Sequence, residues 1–137
     1  MISRSDSRDN TLRMLYSREI TDGRTDGFLS HQPSVDEDID MYAKSLFEGI
    51  TDNLDEIDKK IQDCSSHWKV YRMSLVDRNI LRIGCYETLY LDDVPVIAAI
   101  NEAVNLAKKY GGEESGAFVN GILDHIARQA GKLPDKD

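Results

Sequence analysis

The chain has 137 residues, a mass of 15.5 kDa and a net charge of −8, and 40% of its residues are apolar and 31% charged. This length and balance are typical of one folded domain and exclude a wholly disordered chain. With two cysteines, no apolar run near the roughly 18 residues of a membrane span and no secretory signal, the chain is predicted to be a soluble cytoplasmic domain with reduced thiols.

The first half of the chain predicts helices joined by one long loop. A helix is expected over residues 6–20, where apolar side chains recur with a helical period, and glycines and a proline mark a loop over 23–33. The sequence at 34–37 reads as a capping box that begins a second helix, whose apolar stripe covers 39–50. The pattern restarts after Gly49 and predicts a short helix over 54–61.

The second half predicts three further helices. A capping box at 74–77 precedes a segment that is apolar over a wide arc and is therefore expected at the centre of the core. Pro95 suits the first turn of the next helix, which should end at Gly111 and Gly112. A last helix covers 118–126. Together these segments predict one all-α domain of six to seven helices over 1–137, with flexible ends at 1–5 and 132–137.

Residue types that carry catalysis or bind metals do not form a recognisable pattern. His31, His67 and His125 fit no metal-ligand spacing, and there is no H-E-x-x-H or C-x-x-C motif. Cys64 and Cys85 lack the local signature of a nucleophile and are expected to be small buried thiols. We therefore expect no catalytic residues, no metal and no cofactor.

The negative charge is concentrated in one segment. Residues 34–63 contain ten acids and three lysines, a net charge of −7, whereas 1–27 are balanced and 64–137 carry −1. Such a segment indicates either a solvated helical face or a surface that attracts a basic partner. The basic surplus that usually accompanies nucleic-acid binding is modest here.

Several sequence blocks in the second half occur in order and at a characteristic spacing. They are VDRNILR at 76–82, VPV at 94–96, AINEAV at 99–104, LAKKYG at 106–111 and FVNGILD at 118–124. Together they resemble the NusB family of bacterial transcription antitermination and termination factors. Weaker similarity continues upstream at Leu15-Tyr16 and over 47–58.

The resemblance implies an all-helical fold of two packed subdomains and a role in transcription regulation that is not enzymatic. Members of the family pair with the ribosomal protein NusE and bind single-stranded boxA RNA in the leaders of ribosomal RNA operons. The assembly modifies RNA polymerase so that it reads through terminators. The family contains monomers and dimers, so a homodimer stays open, and no membrane partner is implied.

The resemblance also implies an RNA-binding N-terminal stretch. In the family this stretch is rich in arginine and ends in an Arg-Glu pair and a Leu-Tyr pair. The matching candidates here are Arg4, Arg8, Arg13 and Tyr16, with Asp9 in the position of the glutamate. Guanidinium groups bind phosphates bidentately, and both guanidinium and aromatic planes stack on unpaired bases.

The same stretch departs from the family pattern at two positions. Ser5 and Asp6 stand where further arginines are usual. Since each lost phosphate contact lowers affinity and its salt dependence, we expect the protein alone to bind RNA more weakly than its relatives. The alternative for the arginines is a solvated helix surface paired with neighbouring acids.

Three other functions remain open at this point. The chain could act in ribosome biogenesis as an RNA chaperone, or be a protein-binding or dimeric relative with weak or no RNA binding. A third reading, the N-terminal domain of a ribosomal RNA cytosine methyltransferase, would need a cofactor-binding domain of several hundred further residues, whereas this sequence ends at Asp137.

Overall fold

The computed structural model describes residues 2–20 and 40–134, and within these ranges every regular element is helical. No helix in these ranges is long and apolar enough to cross a membrane. The all-α prediction is confirmed. The elements are α1 (Arg4–Ile20), α2 (Met41–Asp52), α3 (Leu54–Cys64), a 3-10 helix (Val70–Arg72), α4 (Leu75–Tyr90) and α5 (Val96–Gln129).

Helix α4 lies at the centre of the fold, as its wide apolar arc predicts. It packs against α1, α2, α3 and α5, so it contacts every other α-helix in the described ranges. Ile80, Leu81 and Cys85 are fully buried, and Gly84 lies so close to α5 that an added Cβ would come within 2.5 Å of the Leu123 side chain. The centre of the core is thus formed where α4 and α5 meet.

Side-chain caps mark the starts of two helices, α2 and α4. Ser74 Oγ accepts a hydrogen bond from the Asp77 amide at 3.1 Å, in agreement with the predicted cap of α4. Helix α2 is capped by Asp40, whose carboxylate accepts from the Ala43 amide at 2.9 Å. The predicted capping box at 34–37 lies outside the described residues.

Helix α5 contains a break at Gly112, which has a positive φ of 86°. The segments before and after Gly112 are two helices joined at a kink, and they correspond to the helix predicted to end at Gly111 and Gly112 and to the helix predicted over 118–126. The described ranges contain five α-helices when α5 is counted once and six when its two segments are counted separately, and six to seven were expected. Gly112 was correctly predicted to interrupt the helix, since a left-handed conformation favours glycine.

Candidate nucleic-acid interface

The four candidate RNA-binding residues all lie on α1, but the helix does not present them together. Arg4, Arg13 and Tyr16 are exposed, whereas Arg8 retains only 5% of its accessible surface. Arg8 faces the core one turn after Arg4, whereas Arg13 and Tyr16 lie on a side of the helix that is exposed to solvent. Contact with RNA by any of the four stays a prediction.

Arg8 belongs to a buried ion-pair network that holds α1 onto the rest of the bundle. Its Nε donates to both carboxylate oxygens of Glu87 on α4, at 2.7 and 3.0 Å, and its Nη1 donates to Glu102 on α5 at 2.9 Å. The hydroxyl of Tyr42 donates to the same Glu87 carboxylate. Burial alone would lower the pKa of Arg8, but the hydrogen bond and charge of Glu87 outweigh it and raise that pKa. The guanidinium is thus kept charged and occupied by protein carboxylates.

Arg4 lies at the edge of this network and reaches solvent. Its guanidinium carbon is 4.4 Å from the centroid of the Tyr42 ring, and its Nη2 is 3.4 Å from Asp93 Oδ2 in an exposed ion pair. An exposed ion pair of this kind contributes little and is easily exchanged for another anion. Stacking on Tyr42 orients the guanidinium while leaving its outer donors accessible.

The outer face of α1 meets the end of the first half of α5 in a cluster of four side chains, Asp9, Arg13, Lys109 and Tyr110, which we call the Asp9 cluster. Lys109 Nζ and the Tyr110 hydroxyl both donate to the Asp9 carboxylate, and Arg13 Nε is 3.5 Å from Asp9 Oδ1. Burial alone would raise the pKa of Asp9, but the hydrogen bonds and charges of these neighbours lower it. One carboxylate therefore holds three donors from two helices.

Aromatic rings extend the same face. Asp9, Arg13 and Tyr16 follow one another at i, i+4 and i+7, so they share one side of α1. Tyr16 and Tyr110 keep 37% and 41% of their surface exposed, and the Lys109 ammonium lies 5.2 Å from the Tyr110 ring centroid. Exposed phenol rings beside cations are the combination with which proteins stack bases and bind phosphates of single strands.

Lys109 and Tyr110 are candidate contact residues that the sequence reasoning missed. They belong to the LAKKYG block, which serves above as a family marker and as the end of a helix. They lie close to Arg13 in space, although about a hundred residues separate them from it in the sequence. The signal that would have found them is the exposed cation next to an aromatic residue at the end of an otherwise apolar helix.

The arginines of α4 do not add to a basic surface. Arg78 and Arg82 both donate to the carboxylate of Glu19 on α1, and Arg82 also forms two hydrogen bonds of 2.8 Å with Asp58 on α3. Both arginines are therefore engaged by acids of neighbouring helices. Burial would raise the pKa of Glu19, but hydrogen bonds from Asn79 and Arg78 and the charge of Arg82 lower it.

The two cysteines, His125 and the acids that follow the Gly112 break are not members of the Asp9 cluster. Cys64 and Cys85 are free and buried, and burial raises the pKa of the Cys85 thiol to about 12, far from a reactive thiolate. His125 is exposed at the end of α5, and within residues 2–20 and 40–134 no group of His, Cys, Asp or Glu is arranged to hold a metal ion. Glu113 and Glu114 are exposed just after the Gly112 break.

Comparisons with known proteins agree with this architecture. A family model described as the NusB family matches residues 5–128. The transcription antitermination protein NusB of Myxococcus xanthus is 41% identical and covers 93% of this chain and 96% of its own length. A solved structure of T. maritima NusB has a TM-score of 0.83 at 37% identity, over 93% of this chain and 92% of that one. A crystal structure of the antitermination factors NusB and NusE in complex with dsRNA has a TM-score of 0.78 at 28% identity, over 92% of this chain and 96% of that one.

Proposed function

Because the chain belongs to the NusB family of transcription antitermination proteins, we propose that it binds boxA RNA of ribosomal RNA operon leaders together with the ribosomal protein NusE. The resulting assembly modifies RNA polymerase so that transcription continues through terminators. The protein acts by binding and not by catalysis, and its place of action is the cytoplasm.

One observation carries the RNA-binding part of this proposal. The outer face of α1 and the Asp9 cluster bring together two cationic side chains and two exposed phenol rings, in Arg13, Lys109, Tyr16 and Tyr110. Phosphates of a single strand would contact the cations, and unpaired bases would stack on the rings. Arg4 adds a separate exposed cation at the start of α1, beside Tyr42 and Asp93. Arg8 contributes indirectly, because its bonds to Glu87 and Glu102 fix the position of the helix.

The charge distribution supports a basic protein partner such as NusE. Four acidic side chains along α2 and the first turn of α3 reach solvent, and they are Glu48, Asp52, Asp55 and Glu56. A negative surface of this kind accelerates association with a positive partner more than it stabilises the complex. The association rate should therefore fall as salt is raised, and a rate that does not change with salt would contradict electrostatic steering.

The test of the proposed function is a titration of boxA RNA with this protein alone, with NusE alone and with the mixture, each at two salt concentrations. We expect weak binding by the single proteins and tight, salt-sensitive binding by the mixture, because phosphate contacts release counterions. A mixture that forms the protein complex but does not bind RNA would refute the RNA-binding part.

That second outcome corresponds to the alternative function, a protein-binding or dimeric relative with weak or no RNA binding. Two observations favour it. Ser5 and Asp6 stand at the start of α1 where the family resemblance leads us to expect cations, and the donors of Arg13 and Lys109 are directed at Asp9. Sedimentation of the protein alone would identify a homodimer, and the titration would separate this function from antitermination.

A further inference from the structure

Asp9 occupies the place in its cluster that an RNA phosphate would need. Its two carboxylate oxygens accept hydrogen bonds from Lys109 and Tyr110 and lie within ion-pair distance of Arg13. The Asp9 side chain is 15% exposed, whereas Arg13 and Lys109 are 51% and 57% exposed. The anion therefore lies beneath its cations, which face solvent.

We propose that Asp9 is an internal competitor for RNA, a carboxylate that keeps Arg13, Lys109 and Tyr110 engaged until a boxA-type strand displaces it. This inference rests on the proposed RNA contact of the α1 face. It adds a residue that lowers the affinity of this face for RNA. A phosphate that binds Arg13 and Lys109 must break existing ion pairs, so its net gain is smaller than at a free cation.

The geometry distinguishes this role from simple charge repulsion. Asp6 is exposed on the same helix and, within residues 2–20 and 40–134, forms no ion pair with a cation of the cluster, whereas Asp9 contacts all three donors. Displacing Asp9 leaves a partly buried carboxylate with fewer partners, which is costly. A strand that offers several well-placed phosphates and bases can offset this cost, and an arbitrary strand with single contacts cannot. Asp9 thus favours selective over non-selective RNA binding.

The chain provides a matched control in Asp63. Like Asp9, Asp63 forms an i,i+4 ion pair, in this case with Lys59 at 3.4 Å, but it lies on α3 with a side chain that is 54% exposed. Asp9→Asn and Asp63→Asn change the net charge equally. Only the Asp9 carboxylate holds the donors of the α1 face.

The experiment measures dissociation constants for boxA RNA and for an unrelated single-stranded RNA of equal length, using the complex with NusE at two salt concentrations. For Asp9→Asn we expect about two- to tenfold tighter binding of both RNAs, with the larger gain for the unrelated strand, since the strength of exposed ion pairs limits the effect. The log–log slope of affinity against salt should steepen by about 0.7 for each additional phosphate that the variant binds. Asp63→Asn should stay within about twofold of the wild type.

Two further variants exclude trivial causes. Asp9→Asn in an Arg13→Ala/Lys109→Ala background should show no gain, because both cations that Asp9 would release to phosphates are gone. Asp9→Ser, compared with Asp63→Ser, repeats the charge removal with a different side chain should the asparagine variant fold poorly by circular dichroism.

The outcomes separate this inference from the proposed function. Binding of boxA RNA by the wild-type complex reports on the function, whereas the ratio between the Asp9 and Asp63 variants reports on the competitor role. Weaker binding by folded Asp9→Asn would overturn the inference and make Asp9 a residue that orients the donors. Equal effects of Asp9→Asn and Asp63→Asn would also overturn it, because the gain would then reflect net charge alone.

Discussion

Arg8 on α1 and Glu87 on α4 form a buried bidentate ion pair, in which Arg8 Nε lies 2.7 and 3.0 Å from the two carboxylate oxygens. Glu87 is fully buried and Arg8 nearly so. The pair therefore joins the helix that carries the candidate RNA-binding residues to the helix at the centre of the core. Moving α1 away from α4 would separate two opposite charges that are both buried away from water, which costs free energy.

Replacing Arg8 by alanine should lower the free energy of unfolding. We do not expect it to remove an RNA contact selectively. The change leaves Glu87 buried without its cation, and breaking such a pair costs about 3–5 kcal/mol. Denaturant unfolding measures the loss. Arg13→Ala, a change on the exposed face of the same helix, should cost less than about 1 kcal/mol. A loss below about 1 kcal/mol for Arg8→Ala would show that the pair does not anchor α1.

Tyr16 should contribute to RNA binding through its ring. We expect Tyr16→Ala to weaken binding of boxA RNA by the NusE complex by about 1–3 kcal/mol, which is the usual contribution of one stacked base. Tyr16→Phe keeps the ring and should bind nearly as tightly as the wild type. Equal losses in both variants would assign the contribution to the hydroxyl, and no loss in either would remove Tyr16 from the interface.

Removing a cation from the outer face of α1 should reduce both affinity and its salt dependence. For Arg13→Ala we expect the log–log salt slope of RNA binding to fall by about 0.7, the value for one phosphate contact on a single strand. Lys59→Ala is the matched control, because Lys59 is also an exposed cation in an i,i+4 ion pair but lies on α3. An equal change in the two variants would indicate that only net charge matters.

Acid should destabilise the fold through Glu19. Its folded-state pKa lies below the ordinary value of 4.5, so the ionised carboxylate adds stability that is complete above pH 4.5 and is lost as the pH falls through the lower, folded-state value. Glu19→Gln should be less stable than the wild type at pH 7 and should lose less stability between pH 5 and pH 3. Urea unfolding across this range measures both slopes, and parallel slopes would contradict the assignment.

Two glycines on α5 should respond oppositely to alanine. An added Cβ at Gly112 or Gly121 meets no atom within 4 Å, so the backbone conformation decides the outcome. Gly112→Ala should cost about 1–2 kcal/mol because its φ is positive, and Gly121→Ala should stabilise the helix by about 0.5–1 kcal/mol. Thermal unfolding of the two variants compares them, and a stabilised Gly112→Ala would show that the break in α5 is not required.

Local signals in the sequence were sufficient for most helices and for one cap. Apolar periodicity located α1, α3 and α4 within a few residues, because a helical stripe repeats every three to four positions whatever it packs against. Ser74 was recognisable as a cap because the cap bonds only to an amide three residues away. Asp40 was not recognised as the cap of α2. Its carboxylate also accepts a hydrogen bond of 2.7 Å from Ser7 on α1, a contact between residues that are distant in the sequence.

The sequence by itself determined the helical class, the central place of α4, the break at Gly112 and the family resemblance, since these depend on residue types and spacings along the chain. Only the tertiary structure decided which cations are available. Arg8 looked like a solvent-facing arginine but is neutralised by Glu87 and Glu102, while Lys109 and Tyr110 join Arg13 through Asp9. The physical reason is that an ion pair depends on distance in space, and the acidic partners of Arg8 and Lys109 lie 79 to 100 positions away in the chain.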